Sequence, residues 1–360
     1  MSLFIGIIGL PNVGKSTLFN ALTRAQAEAS NYPFCTVEPN VGMVEVPDER
    51  LVRLNEIIKP ETCTPTHIRF VDIAGLVRGA SRGEGLGNRS LGHIREADAL
   101  VHVVRCFEDD RVASVGGGVD PVRDVETVGA ELILADLESA EGALQRLRKA
   151  GLRAPEKREQ DVVSRVVSEL EQEVPVRALD LSEDEQRVIK GYHFLTGKPV
   201  LYLANVGEED VPGGGAYAER LKACCGPDRV LVISAQIESE IAQLPPEDRE
   251  VFLSDLGLEE TGVERLILAG YRLLDLITFY TVANEKLRAW QLVGGTPAPE
   301  AAGKIHSDME QGFIRAEVVS YGDLAAAGDM DRLREAGKIR TEGKDYPVQD
   351  GDVVRFLFHV

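Results

Sequence analysis

A chain of 360 residues, 44% hydrophobic and 28% charged, is too long for one small core and has the make-up of a soluble globular protein of two or three domains. Its net charge of −19 excludes a protein that wraps duplex DNA by general electrostatics, and no apolar run approaches the roughly 20 residues that span a bilayer. Five cysteines with no C-x-x-C pair and no zinc-spaced histidine read as reduced thiols, and without a basic leader ahead of the first strand the expected location is the cytoplasm.

The first predicted element is an Ile-rich strand that ends in Gly9. Gly9-x-x-x-x-Gly14-Lys15-Ser16 follows, and a helical pattern over Thr17 to Arg24 comes next, the strand-before, helix-after context of a phosphate-binding loop. Its glycines let the backbone turn N–H groups inward around anionic oxygens at a helix N-terminus. Leu10, Pro11, Asn12, Val13 and Gly14, with Lys15, Ser16 and Thr17, form the expected nucleotide cradle: Lys15 reaches the β and γ phosphates, and the Ser16 hydroxyl ligates Mg²⁺.

From Ala25 to Asn40 periodicity is poor, and Thr36 within Asn31-Tyr-Pro-Phe-Cys-Thr36 is the candidate that closes over Mg²⁺ and the γ-phosphate. Val41 to Val46 alternates as a strand, Asp48 to Ile58 is helical, and His67 to Val71 is a strand running into Asp72-Ile-Ala-Gly75. Asp72 would hold Mg²⁺ through water, and the Gly75 N–H would meet the γ-phosphate. Ras-type GTPases place a Gln next, to orient the attacking water. Leu76 stands there instead, so intrinsic hydrolysis should be slow and the catalytic group should come from elsewhere. Gly79, Gly83, Gly85 and Gly87 among Arg78, Arg82, Arg89 and Arg95 predict a mobile loop over Val77 to Arg95, with arginines that could reach phosphates or a partner's RNA.

Asp98 to Arg105 is a buried strand with His102 read as a core histidine, and after Phe107 the chain becomes an acidic, then Gly-rich, surface loop on the nucleotide side. From about Val122 to Lys198 the pattern is helical: an antiparallel hairpin, then a third helix started by the capping box Ser182-Glu-Asp-Glu185. The sheet resumes at Pro199 and ends in Asn205-Val206-Gly-Glu208. Guanine-specific proteins carry N-K-x-D here, and the Asp accepts from guanine N1–H and the N2 amino group. With Val206 for Lys and Glu208 for Asp that fit is lost, so ATP should be favoured and GTP bound more weakly. Leu231 to Ile233 is the last strand, and Ser234 and Ala235 begin the second base loop.

The end from Thr278 reads as a separate small domain. Strands are expected at Lys286–Val293, Phe313–Val319, Tyr346–Val348 and Val353–Phe358, with a helix over Pro299 to Gly312, giving four or five strands under one or two helices. Ten Lys or Arg against thirteen Asp or Glu make this region the least repelled by phosphate, with Lys304, His306, Arg315, Arg340 and Lys344 as candidate RNA or partner contacts.

On Gly9-Leu-Pro-Asn-Val-Gly-Lys-Ser-Thr17, Asn31-Tyr-Pro-Phe-Cys-Thr36, Asp72-Ile-Ala-Gly-Leu76 and Asn205-x-x-Glu208, the chain resembles the Obg-like P-loop NTPases, and within them the YchF/Ola-type ATPases, over essentially its whole length. The resemblance implies an α/β fold with helices on both faces of a P-loop sheet, an inserted helical hairpin and a C-terminal β-grasp TGS domain. The boundaries are 1–121 and 199–277 for the nucleotide domain, 122–198 for the insertion and 278–360 for the TGS domain. It further implies an Mg²⁺-dependent ATPase associated with the ribosome. Asn12 is similar to the P-loop Asn of cation-dependent GTPases, which implies a K⁺ beside the phosphates. Some relatives have a catalytic His after the strand at 98–105; Asp110-Arg-Val-Ala-Ser114 offers none. An Obg-type GTPase and a ribosome-binding adaptor with nucleotide as structural ligand are the alternatives.

Overall fold

The strand Ala99–Cys106 is buried at all eight positions, as a central parallel strand covered on both faces must be. The computed structural model describes residues 3–27, 40–73, 86–112, 117–149 and 154–359. The chain folds into two compact units, one made of Met1–Met43 with Arg69–Leu266 and the other of Val44–Ile68 with Ile267–Val360.

In chain order the first elements are β1 (Phe4–Ile8), α1 (Lys15–Ala27), β2 (Val41–Glu45), α2 (Glu49–Ile58), β3 (Thr62–Thr64), β4 (His67–Asp72), α3 (Leu86–Glu96) and β5 (Ala99–Cys106). The helical insertion is α4 (Pro121–Lys149), α5 (Ala154–Glu171) and α6 (Glu183–Lys190). Then come β6 (Val200–Val206), α7 (Gly215–Cys225), β7 (Val230–Ile233), α8 (Ala235–Ile241), α9 (Pro246–Asp255) and α10 (Gly262–Leu273). The rest is β8 (Leu276–Ala283), β9 (Lys286–Val293), α11 (Ala298–Ile305), α12 (Ser307–Gln311), β10 (Phe313–Ser320), α13 (Tyr321–Ala327), α14 (Met330–Glu335), β11 (Arg340–Glu342) and β12 (Asp352–Phe358).

The first sheet has the order β2-β4-β1-β5-β6-β7, and β1, β4, β5, β6 and β7 pair parallel. That order carries the loops after β1, β4, β5 and β6 to the same carboxyl edge, where open α/β sheets bind ligands. In the insertion, Ala140, Val166, Leu170, Val176 and Phe194 form one apolar cluster and Ala143, Leu144 and Val163 another. Asp136 on α4, with no exposed surface, accepts from the Leu195 N–H at 2.8 Å, the Thr196 N–H at 2.7 Å and the Thr196 hydroxyl at 2.7 Å. That fixes the chain as it returns to β6. The capping box at Ser182 and Glu185 is formed.

The second sheet has six strands, β11-β10-β12-β8-β9-β3, rather than four or five, because β3 pairs parallel with β9 from Thr62↔Lys286 to Thr64↔Arg288. Helix α2 packs on it through Leu51 and Leu54, which join Tyr280, Leu287, Val319 and Val353 in one cluster. Residues 44–68, expected in the nucleotide domain, therefore group with the C-terminal compact unit. Tyr346–Val348 is not a strand, and only an isolated bridge links Pro347 to Pro297. The expected single helix from Pro299 is broken at His306 into α11 and α12. In the expected loop 77–95, residues 86–96 form helix α3. No helix among the described residues is long and apolar enough to cross a membrane.

Candidate nucleotide-binding site

Two glycines of the phosphate loop are needed for their missing side chains as well as for their backbone. Gly9 sits at φ +148, where a Cβ would lie 2.4 Å from the Val103 carbonyl oxygen; Gly14 sits at φ +97, where a Cβ would lie 2.2 Å from the Asn205 amide nitrogen. Asn12 between them is left-handed at φ 61, a conformation its short polar side chain tolerates. Lys15 opens α1 with 8% of its surface exposed, and its ammonium donates to the carbonyls of Gly9 at 3.0 Å and Leu10 at 2.8 Å. Burial pushes its pKa down and the Asp72 charge pulls it back.

The Ser16 hydroxyl donates to Asp72 Oδ2 at 3.3 Å, so the end of β4 meets the start of α1 as expected. Asp72 Oδ1 is buried with no hydrogen-bond partner among the described residues. Burial raises the Asp72 pKa against the opposing pull of Lys15 and Ser16. A hydroxyl beside a carboxylate with an unused oxygen is the hard-oxygen donor pair that suits Mg²⁺. Thr36, Gly75, Leu76, Arg78 and Arg82 lie outside the described residues, as does the Arg89 side chain. Arg95 donates to Ser139 on α4 at 2.6 Å, a helix-to-helix tie rather than a phosphate contact.

Asn205 joins this cradle to the base loops. Only 4% exposed, it donates from Nδ2 to the Val13 carbonyl at 2.8 Å and accepts on Oδ1 from the Ala235 N–H at 2.9 Å. Val206 is buried at 2% exposure in the core under β6, while Glu208 stands exposed in a single 3₁₀ turn, Glu208–Asp210. Ser234 is 3% exposed, and its buried hydroxyl oxygen has no partner among the described residues. Asn12, Gly14 and Thr17 of the phosphate loop and helix start, with Asn205 to Glu209 and Ser234 to Gln236, line an open cleft of about 630 Å³. That volume lies within the range of small-molecule sites.

The cleft has a wall that sequence reasoning left without a role. Phe107, Glu108, Asp109, Arg111 and Val112, from the loop after β5, line it together with the phosphate loop residues. The sequence offers only a charged residue, Arg105, near the end of an apolar strand, and its 5% exposure emerges only in the fold.

The five candidate partner residues on the second unit are all exposed. The His306 ring caps α12 by accepting from the Asp308 N–H at 3.2 Å, and Arg340 is paired with Glu342 at 3.1 Å. Lys304 is in α11, Arg315 is in β10 and Lys344 follows β11.

A parallel sheet whose carboxyl edge carries this phosphate loop, a Ser16–Asp72 pair and an Asn205-braced base cleft defines a P-loop NTPase of the GTPase type. Two family profiles agree: one described as 50S ribosome-binding GTPase matches residues 4–135, and YchF-GTPase_C, described as a protein of unknown function, matches residues 276–359. The chain belongs to the YchF family. It is 50% identical over its full length to the Bacillus subtilis protein named ribosome-binding ATPase YchF, with 100% of both chains covered. It is 52% identical to the protein of the same name from Haemophilus ducreyi, with 99% of each covered. Among solved structures, the YchF GTPase of Schizosaccharomyces pombe matches with a TM-score of 0.90 at 36% identity, over 99% of this chain and 98% of that one.

Proposed function

We propose that this chain is an Mg²⁺-dependent ATPase that acts as a slow nucleotide switch on a ribosomal partner in the cytoplasm. The observation that carries the proposal is the join made by Asn205: one side chain fixes the phosphate loop to the Ala235 loop, and Glu208, three residues on in the sequence where N-K-x-D proteins have Asp, lines the same cleft. Lys15 leaves the Gly9 and Leu10 carbonyls for the β and γ phosphates, a short move because those carbonyls belong to the phosphate cradle. Ser16 would ligate Mg²⁺ directly and Asp72 would hold it through water, with Thr36 as a further proposed ligand, and the Gly75 N–H would meet the γ-phosphate. When bound, Mg²⁺ draws charge from the phosphoryl oxygens. Leu76 cannot orient water, and a K⁺ held at Asn12 is the proposed source of extra positive charge.

Base choice follows from hydrogen-bonding capacity. Adenine presents an acceptor at N1 and no N2 amino group, so the loss of the guanine-reading Asp costs it nothing. The ribosomal partner is supported by the names of the relatives, ribosome-binding ATPases of 50% and 52% identity. Lys304, Arg315 and Lys344, all exposed, are the proposed contacts that remain without a structural role.

The test is calorimetric titration with Mg·ATP and Mg·GTP on the unmodified chain and on Val206→Lys with Glu208→Asp, with turnover in K⁺ and in Na⁺ measured alongside. Tighter ATP binding that swings toward GTP in the double variant, with slower turnover in Na⁺, is the expected result. Tighter GTP binding by the unmodified chain would make it an Obg-type GTPase. Ribosome binding unchanged by Lys15→Ala would make the nucleotide a structural ligand of an adaptor.

A further inference from the structure

Arg105 is the last but one residue of β5, 5% exposed, and its guanidinium forms no salt bridge among the described residues. Its charge is met by carbonyl oxygens of the loop that follows. Nε donates to Phe107 at 3.1 Å, Nη2 to Asp109 at 3.2 Å and Nη1 to Val112 at 3.0 Å. The guanidinium carbon also lies 4.8 Å from the centre of the Phe107 ring. A planar fork with fixed donor directions can hold three carbonyls spread over six residues, which a point charge cannot.

The same loop residues, Phe107 to Asp109 with Arg111 and Val112, form one wall of the nucleotide cleft. A second tether, from the Tyr217 hydroxyl to Glu108 at 2.5 Å, holds the outer side of the loop to α7. Burying a guanidinium is costly in desolvation unless its donors are used. Here the donors are spent on the shape of one short loop, and that loop faces the cleft.

We infer that Arg105 is a positioning residue for the base and ribose end of the nucleotide: it sets the 107–112 wall against which that end is held, and leaves the phosphate cradle alone. The inference deepens the nucleotide-binding reading and rests on it. Arg105 touches no phosphate-loop atom through the hydrogen bonds it makes, so its effect should fall on the nucleoside and not on the phosphate chain. That separation distinguishes a positioning role from general support of the fold.

The experiment compares the unmodified full chain with Arg105→Lys, using Mg·ATP and Mg·tripolyphosphate as probes in calorimetry and ATP in steady-state turnover. Loss of the three-point hold should weaken ATP about tenfold, leave tripolyphosphate within about twofold, and raise KM with kcat held, since each lost hydrogen bond contributes on the order of one such step at most. Equal weakening of ATP and tripolyphosphate, or no weakening of either, would overturn the inference. If the unmodified chain binds ATP no more tightly than tripolyphosphate, the base cleft itself is wrong and the functional proposal fails first.

Hydrogen exchange on the unmodified chain keeps the question open to test if Arg105→Lys does not fold. Mg·ATP should slow exchange of the 108–112 amides and of residues 9–17, whereas Mg·tripolyphosphate should slow only 9–17. Protection of 9–17 by ATP with no change at 108–112 would remove the loop from the site, and Arg105 with it.

Discussion

His102 lies in the middle of the most buried strand, 4% exposed, between Ile8 on β1 and Tyr202 on β6. Burial pushes its pKa down to about 3, and the nearby charges of Lys15 and Arg177 push the same way. An unfolded chain takes up this proton below its ordinary value near 6.5 while the folded one does not, so the unfolded state binds more protons and stability falls as pH drops from 6.5 toward 3. Between pH 7.5 and 5.5 this one group should remove roughly 1 kcal/mol. Urea unfolding of the chain and of His102→Leu at both pH values checks it: the chain should lose that much stability relative to the variant, and an unchanged difference would mean that His102 takes up its proton in the fold as readily as in the unfolded chain. Residues whose chemistry needs a fixed spacing were legible in sequence, as Gly9, Gly14, Lys15 and Ser16 were. Arg105 was not, because its role depends on which way three carbonyls of a later loop point.

At the scale of elements, the amphipathic pattern located α4 and α5, and α6 was readable from the Ser182 capping box because its two partners are three residues apart. The buried carboxylate that holds the insertion to the sheet was not readable. Asp136 reads like any acidic residue on a long helix, and only the return of the chain at Leu195 and Thr196 gives it three donors. Burial raises its pKa and the two backbone N–H groups oppose that shift, as expected for a carboxylate kept inside by its hydrogen bonds. Asp136→Ala leaves two backbone donors buried without acceptors and should cost about 3 kcal/mol in urea unfolding. Ser182→Ala, which removes one exposed cap, should cost about 1 kcal/mol. If the two variants lose equal stability, the Asp136 bonds are not a main tie of the insertion.

For the whole molecule, the order of the chain and the order of the folded units differ. Sequence patterns found the helix at 48–58 and most C-terminal strands, but not that they share a core, since nothing local in Thr62-Cys-Thr64 says that its partner is Lys286 to Arg288. Once α2 is placed, the tie is explicit. Asp48 caps α2 by accepting from the Arg50 N–H at 3.1 Å, its other oxygen accepts from the Tyr280 hydroxyl at 2.5 Å, and Arg50 pairs with Asp350 at 2.7 Å. Leu51 and Leu54, 7% and 0% exposed, are buried against Tyr280, Leu287 and Val353. A chain cut to residues 278–360 would keep the sequence expected of an independent domain yet lack its sixth strand and one covering helix. It would present the Lys286–Arg288 edge unpaired and the Tyr280 cluster to water, both aggregation hazards. The expected outcome is a fragment that binds a hydrophobic dye and lacks a cooperative melt, whereas joining 44–68 to 267–360 through a flexible linker restores one. A cooperative melt of 278–360 alone would show that the C-terminal sheet holds its core without α2 and β3.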